Sequence, residues 1–311
     1  MRRIFLIFTG LLMAAMAIAR TYVVAVGVSA YSDEQYSLRK PAGDATKFTQ
    51  IMRKHNCDAV LITNRYATTN NILAKLDSVL GLITEEDNIF FFYSGHGWKG
   101  SLITYDGIQT GENLQYSVLR DRLNGSKAKA KFCFVDACYS GSVAEEYKKG
   151  QTTADPSEAD GIFYFMSSSP GETSLENSKY DNGLFTQALA AGLSGFADGN
   201  QDRALTVHEL FKYIYMRVTK MSSKKDVATG QMVERQHPQL IGPRNLIDKT
   251  YIIVWEKPAT QPAPRPQNAV GPKKPSTVES SAPQNGGDDD KNDKKSKKNK
   301  KKKQKKNKDK D

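Results

Sequence analysis

Residues 131–141 read KFCFVDACYSG, an apolar segment that stops on an acid and a cysteine. Its first five residues predict a buried β-strand, because strands enclosed on both faces are continuously apolar. Asp136 follows this strand directly, and Cys138 lies two residues further on. A second segment, NIFFFYSGHG (88–97), has the same organisation and places His96 just beyond its own strand. The two segments together predict a sheet whose strands end in chemically reactive side chains.

The region around these segments alternates apolar strands with amphipathic helices. Strands are predicted at 22–28, 59–63, 88–93, 131–135 and 161–166, with an edge strand at 251–255. Helices are predicted after Pro41 and over 72–80, 113–123, 183–193 and 207–218. This alternation is typical of an α/β fold with a mostly parallel sheet and helices on both faces.

Binding and catalytic sites in open α/β sheets form at the carboxyl ends of the strands. His96 and Cys138 would lie at neighbouring strand ends if their two strands pair. A nearby imidazole removes the proton of a thiol and stabilises the thiolate, which makes the cysteine a nucleophile. The backbone N–H groups of Gly97 and Cys138 are then candidates to hold a developing oxyanion. A single cysteine or histidine here would more often be structural, but the pair favours a catalytic dyad.

Two motifs, YSGHG (93–97) and DACYSG (136–141), resemble the histidine and cysteine motifs of caspase-like cysteine peptidases (peptidase C14). The metacaspase branch and its bacterial relatives are the most similar, and the resemblance extends over residues 21–218. It implies the caspase-like three-layer sandwich, with Cys138 as nucleophile and His96 as general base and acid. The implied activity is that of a thiol endopeptidase, whose chemistry requires no cofactor.

Two acids resemble the carboxylates with which metacaspases bind a basic side chain. Asp136 occupies the place of a pocket acid, where true caspases carry Gln, and Asp44 in RKPAGDATKF (39–48) resembles the second one. Desolvated carboxylates discriminate strongly in favour of guanidinium and ammonium groups. Peptide or protein substrates with Arg or Lys at P1 are therefore expected. For Asp44 an alternative remains open, since an acid early in a helix also interacts favourably with the helix N-terminus.

The chain departs from the metacaspase pattern at Tyr139, where His is common. The polar segment 147–160 follows the predicted nucleophile and contains Lys148 and Lys149. An enzyme specific for basic residues would be able to cut this segment itself. Self-processing at Lys148 or Lys149 is therefore a hypothesis.

The chain contains 3 cysteines, too few for a disulfide framework. Cys133 lies inside a predicted strand, where a buried and inert thiol is expected. Nothing in the sequence supports a bridge between Cys57 and Cys133.

Residues 197–210, ADGNQDRALTVHEL, allow two interpretations. As an EF-hand-like loop, they would offer calcium the Ala204 carbonyl and the side chains of Asp198, Asn200, Asp202, Thr206 and Glu209. Arg203 stands where such a loop needs Gly, which argues against calcium. Alternatively, Thr206 and Glu209 form a capping box at the start of the last helix. Calcium is therefore a candidate ligand only, and no metal site is assigned.

The two ends of the chain differ from its body in composition. Residues 1–19 carry two arginines before an apolar stretch that ends in Ala-Ile-Ala, which predicts a cleaved signal peptide. Residues 20–256 then form the peptidase domain. Residues 257–311 form a Pro/Ser-rich and then Lys-rich tail that is expected to be disordered. The last part, 285–311, holds 13 Lys and 6 Asp, so it supplies +7 of the formal net charge of +11.

The composition of these two ends predicts the cellular location of the protein and its possible binding partners. The mature chain is expected to be exported, as a periplasmic, envelope-associated or secreted protein. The basic tail could attach to an anionic surface. Because the tail lacks aromatic residues, specific nucleic-acid recognition is not expected. Two alternatives to the leading hypothesis are a catalytically silent caspase-like module that binds or scaffolds through this tail, and a clostripain-like peptidase with different processing.

Overall fold

The computed structural model of the chain describes residues 19–138, 161–172, 174–175, 179–233 and 235–255. All of them belong to Met1–Ala259, the first of the two units into which the chain divides. Four parts of the chain lie outside the described residues: residues 1–18 of the predicted signal peptide (1–19), Tyr139, the segment with Lys148 and Lys149, and the predicted tail.

The described residues form 13 β-strands and six α-helices. The strands are β1 (Thr21–Gly27), β2 (Asp58–Thr63), β3 (Asn88–Ser94), β4 (Gly97–Trp98), β5 (Ser101–Leu102), β6 (Leu114–Gln115), β7 (Ala130–Asp136), β8 (Ile162–Met166), β9 (Ala204–Thr206), β10 (Lys224–Lys225), β11 (Met232–Val233), β12 (Gln239–Ile241) and β13 (Tyr251–Val254). The helices are α1 (Pro41–Lys54), α2 (Thr69–Leu80), α3 (Gly107–Thr110), α4 (Tyr116–Asn124), α5 (Leu184–Ala191) and α6 (Val207–Ser222). None of these described helices is long and apolar enough to cross a membrane.

Six of the described strands form a central sheet in the order β12-β8-β7-β3-β1-β2. The strands β2, β1, β3, β7 and β8 are parallel to one another, and β12 pairs with β8 in the antiparallel direction. Parallel neighbours need crossover connections, which helices supply. The predicted α/β class with a mostly parallel sheet is confirmed.

Helices cover both faces of this sheet and make a three-layer sandwich. One face packs against α2 and α4, and the other against α1, α5 and α6. The second face is built from phenylalanines that alternate along β3, β7 and β8: Phe90, Phe92, Phe132, Phe134, Phe163 and Phe165. Each is at most 1% exposed, and burying such a side chain contributes about 1.5–3 kcal/mol. This packed core fixes the strands whose ends carry the candidate site.

Three predicted elements differ from the observed ones. The strand at 251–255 is β13, which pairs with β9 in a separate two-stranded sheet, and the edges of the central sheet are β12 and β2 instead. The segment predicted as helix 113–123 begins as β6, which joins a small sheet with β4 and β5, and α4 starts only at Tyr116. The helix predicted over 183–193 continues as a wider π-helical segment, Gly192–Phe196.

All three cysteines, Cys57, Cys133 and Cys138, are unbridged. Cys133 lies in the middle of β7 with no exposed surface, as the sequence predicts. Cys133 therefore contributes to this fold through packing, whereas Cys138 lies two residues beyond the carboxyl end of β7.

Candidate active site

The candidate site lies at the carboxyl ends of β3 and β7. These strands pair in parallel register with Ser94 opposite Asp136, and the Gly95 N–H donates to the Asp136 carbonyl at 3.2 Å. His96 and Cys138 each come two residues after this matched pair. Both line one cavity of about 90 Å³. The fold therefore brings together the two residues that the sequence predicts as a dyad.

Hydrogen bonds and ring packing hold His96 in one orientation. Its Nε2 lies 2.8 Å from the carbonyl oxygen of Tyr36, and its backbone N–H donates to the Tyr31 hydroxyl at 2.7 Å. The rings of Tyr31 and His96 pack with their centroids 5.0 Å apart. Because a carbonyl can only accept a hydrogen bond, Nε2 carries the proton in the neutral form of the ring, and Nδ1 then has the lone pair. Nδ1 is then the ring atom that can act as a base.

Cys138 is half-buried, and its surroundings favour the neutral thiol. Burial raises the pKa of the Cys138 thiol, a hydrogen bond from the Ser174 backbone lowers it, and the charge of Asp136 raises it. The net direction is upward, so at neutral pH the sulfur keeps its proton. Nucleophilic attack by Cys138 therefore requires a base, and His96 lies in the same cavity.

Asp44 lies in the first turn of α1 and is buried. Its carboxylate accepts hydrogen bonds from the Ser94 hydroxyl at 2.9 Å, the Asn182 amide at 2.8 Å and the Gly183 N–H at 3.1 Å. Burial, and then the charge of Asp136, raise the pKa of Asp44 to about 7. A favourable interaction of Asp44 with the N-terminus of α1 would not by itself explain these three hydrogen bonds. The geometry therefore favours the interpretation of Asp44 as a cavity-lining carboxylate.

Asp136 ends β7 and is buried beside the same cavity. The Thr186 hydroxyl and N–H donate to its Oδ2 at 2.7 and 3.1 Å, and the Ser174 hydroxyl donates to its Oδ1. Burial raises the pKa of Asp136, while these hydrogen bonds and the charge of Lys40 lower it, and the net direction is upward. The carboxylate is thus held rigidly by groups from two different segments.

The two carboxylates approach the same glycine, Gly183. A Cβ atom at this position would lie 2.7 Å from Asp136 Oδ2 and 3.4 Å from Asp44 Oδ2. Two buried carboxylates in one cavity repel each other when both are ionised. A cation that entered the cavity would relieve this repulsion. The pair is therefore electrostatically complementary to a guanidinium or ammonium group.

The sequence of this chain matches the model of a known protein family. The family model of the caspase domain (Peptidase C14) matches residues 20–245, a range that contains the histidine, the cysteine and both carboxylates. The chain belongs to the caspase-domain peptidase family. The predicted resemblance to caspase-like cysteine peptidases is confirmed by this match.

Two individual proteins are similar to this caspase domain. A probable protease of a Desulfuromonadales bacterium is 28% identical over an alignment of 174 residues, and the match covers 48% of this chain and 21% of that protein. The chain thus matches only about a fifth of the length of this curated relative. The crystal structure of a Geobacter sulfurreducens protein has a TM-score of 0.54 at 15% identity, covering 76% of this chain and 100% of its own. At that identity the likeness shows the fold alone.

Gly97 of the caspase domain closely approaches Cys138, the predicted nucleophile. A Cβ atom here would lie 2.4 Å from the Cys138 carbonyl oxygen and 3.0 Å from the Ala137 Cβ. Only glycine fits this position without a backbone shift. Gly97 and Cys138 are thus in contact. Their N–H groups are the predicted oxyanion donors. Their role in holding an oxyanion stays a prediction.

Gly97→Ala is expected to lower peptidase kcat/KM by about 10²-fold, because a displacement of the nucleophile by about 1 Å costs that much. The added methyl group meets backbone and cannot be accommodated by a side-chain rotation. Gly43→Ala in α1 is the matched control, since its added methyl meets nothing within 4 Å. Steady-state kinetics with both variants test the contact, and wild-type activity in Gly97→Ala would contradict it.

The loop before α6 is organised by the predicted capping box, which the structure confirms. The Thr206 hydroxyl accepts from the Glu209 N–H at 3.2 Å, and the Glu209 carboxylate accepts from the Thr206 N–H at 3.0 Å. Arg203 has a φ of 70°, the left-handed conformation that favours glycine. Within the described part of the chain, no group of three His, Cys, Asp or Glu side chains is placed to hold a metal ion. Calcium binding through Asp198, Asn200, Asp202 and Glu209 stays an untested alternative.

The sequence did not single out several residues that complete the site: Tyr31, Tyr36, Ser94, Ser174, Asn182 and Thr186. Ser94 carried a usable signal, because it stands inside YSGHG between the strand and the histidine. Tyr36 contributes a main-chain carbonyl, which leaves no mark on the side-chain pattern. Ser174 and Asn182 reach the carboxylates from segments whose position depends on tertiary folding.

Proposed function

We propose that the protein is a cysteine endopeptidase that cleaves after Arg or Lys, with Cys138 as nucleophile and His96 as general base and acid. The observation that carries this proposal is the cavity that Cys138 and His96 share with two buried carboxylates, Asp44 and Asp136. Membership in the caspase-domain peptidase family supports protein or peptide substrates.

The proposed reaction follows from the roles of these side chains. His96 Nδ1 accepts the proton of the Cys138 thiol while the sulfur attacks the P1 carbonyl carbon. The oxyanion that forms is stabilised by the N–H groups of Gly97 and Cys138. The C–N bond then breaks, and His96 gives the proton to the leaving amine, which leaves a thioester on Cys138. Water, deprotonated by His96, hydrolyses this thioester and regenerates the thiol.

Selectivity for a basic P1 side chain is supported by the charge of the cavity. Asp44 and Asp136 are buried, so little water screens them from each other. A guanidinium group can pair with both carboxylates through its five N–H donors, and an ammonium group supplies a point charge. A neutral P1 side chain leaves the carboxylates unpaired and desolvated, which costs free energy. The cavity is therefore expected to reject mainly those substrates whose P1 side chain carries no positive charge.

The experiment that tests the proposal uses residues 20–311 and fluorogenic peptides ending in Arg, Lys, Asp or Leu, with and without calcium. Turnover confined to the Arg and Lys peptides is the expected result. A preference for Asp would contradict the roles of Asp44 and Asp136. A folded protein with a reactive thiol and no turnover would instead favour the silent caspase-like binding module. The paired measurements with and without calcium test whether calcium affects activity.

Selectivity for Arg is expected to depend on pH through Asp44. Its pKa is about 7, so the carboxyl is largely neutral below this pH and ionised above it, while guanidinium stays charged throughout. The ratio of kcat/KM for Arg to that for Leu should therefore rise with pH, by up to about tenfold per unit below the pKa. This ratio cancels the ionisation of Cys138 and His96, which affects both substrates. A ratio that is constant across neutral pH would contradict the role of Asp44.

We also propose that the protein is exported after cleavage behind Ala19 and that its basic tail attaches it to an anionic surface. The Arg20 N–H donates to the buried Asp87 carboxylate at 2.7 Å, so an α-amino group formed there would meet a carboxylate. N-terminal sequencing of the protein from its native host tests the cleavage. Fractionation of the full chain beside a variant that ends at residue 256 tests the attachment.

A further inference from the structure

A second cleft opens beside His96 at the carboxyl ends of β1 and β2. Its volume is about 600 Å³, within the range of sites that bind ligands. The side chains that line it include three tyrosines and two opposite charges: Tyr31, Tyr66, Tyr105, Glu34 and Arg65. Tyr31 lines this cleft, and its ring also packs against His96 of the candidate active site. The cleft is therefore adjacent to the candidate active site.

Hydrogen bonds fix the segments that line this cleft relative to one another. The Ala30 N–H donates to Asn64 Oδ1 at 3.0 Å, which joins the loop after β1 to the segment after β2. The Ser32 N–H donates to the Tyr105 carbonyl, and the Tyr105 N–H donates to the Ala67 carbonyl, both at 2.9 Å. The cleft is thus a preformed part of the scaffold, and little ordering is needed before a ligand binds.

The strand order places the cleft on the leaving-group side of the proposed reaction. Along the carboxyl edge of the sheet, β7 carries Cys138, β3 carries His96, and β1 and β2 carry the cleft. His96 protonates the leaving amine, so the substrate beyond the cleaved bond extends from the histidine towards β1 and β2. Neighbouring strands lie about 4.8 Å apart, so β2 lies about 10 Å from β3, which carries His96, a distance that an extended peptide covers in about three residues.

We propose that this cleft binds the leaving half of the substrate and prefers an aromatic side chain at about the second or third residue beyond the cleaved bond. The inference rests on the proposed peptidase function and adds a substrate preference to it. Arg65 lies 4.8 Å from the Tyr66 ring centroid and donates to the Tyr66 hydroxyl at 2.7 Å. Because Glu34 offsets the charge of Arg65, the cleft presents tyrosine rings rather than a net charge. Such rings bind another aromatic ring in offset or edge-to-face contact.

Two kinds of substrate separate this inference from the proposed function. An Arg peptide linked directly to aminocoumarin has no residues beyond the cleaved bond, whereas internally quenched Arg peptides carry either Phe or Gly at the second and third positions. We expect kcat/KM for the Phe peptide to be about five- to tenfold above that for the Gly peptide. Tyr66→Ala should remove this difference and leave aminocoumarin release unchanged. Tyr215→Ala, at an exposed tyrosine of α6, should change neither.

A binding measurement tests the cleft without turnover. Fluorescence anisotropy of the labelled Phe peptide with Cys138→Ala should show binding that weakens about five- to tenfold when Tyr66→Ala is added. Equal cleavage of the Phe and Gly peptides, or a preference that survives Tyr66→Ala, overturns the inference while the proposed function stands. Binding that depends on Tyr66 without any hydrolysis by the wild-type protein overturns the function and supports the cleft as a peptide site.

Discussion

Cys138→Ala is expected to abolish peptide hydrolysis, with kcat lowered by roughly 10⁴–10⁶-fold. The loss is this large because the covalent route depends on a single sulfur, and no neighbouring group replaces it when the thiol is removed. The pKa of the Cys138 thiol is raised by burial, so His96 must take its proton before or during attack. Single-turnover rates with excess enzyme and an Arg peptide measure the residual activity of the variant.

Cys57→Ala is the matched control, since it removes a thiol elsewhere in the domain. Cys57 lines a different cavity, at the amino-terminal ends of the strands, and burial raises its pKa to about 11. Its loss should leave kcat/KM unchanged. Iodoacetamide followed by mass spectrometry should label Cys138 first, in step with the loss of activity. Hydrolysis that survives Cys138→Ala, or disappears with Cys57→Ala, would refute the assignment of the nucleophile.

The central strands are predictable from sequence because buried parallel strands are continuous apolar runs. The strand β12 was missed, since Gln239–Ile241 is only 3 residues long and is defined by its pairing with β8. Conversely, Tyr251–Val254 has the apolar pattern of a strand, but that pattern does not specify its partner, which is β9. In this chain the existence of a strand is local information, whereas its partner is decided by tertiary packing.

Some residues of the candidate site are likewise predictable from local sequence, whereas the role of another depends on tertiary contacts. His96, Asp136 and Cys138 directly follow predicted strands, so parallel pairing of those strands is enough to bring them together. Asp44 lies on a helix, and its sequence context alone left two interpretations open. The contact that favours the cavity-lining interpretation is made with Asn182, which lies 138 residues further along the chain. No local pattern marks a contact at that separation.

Asp136→Asn is expected to lower kcat/KM for Arg peptides by roughly 10²–10³-fold, while the value for Leu peptides changes little. Asparagine keeps the size of the side chain, and its amide oxygen can still accept the hydrogen bonds from Thr186. It removes the charge that a guanidinium group would meet in the cavity. A Leu side chain makes no ion pair, so the Arg-to-Leu ratio isolates the electrostatic contribution. An unchanged ratio would exclude Asp136 from substrate recognition.

Thermal stability distinguishes this loss of recognition from a loss of folding. Burial raises the pKa of Asp136, so its ionised form is less stable in the folded protein than in the unfolded chain, and its contribution to stability falls as pH rises. Asp136→Asn should therefore preserve or raise Tm at about pH 8. The control is Asp87→Asn, because burial raises the pKa of Asp87 but hydrogen bonds from Thr84 and Arg20 outweigh it and lower the pKa overall. This second variant should lower Tm and leave the Arg-to-Leu ratio intact, since ionised Asp87 stabilises the fold above its unfolded pKa.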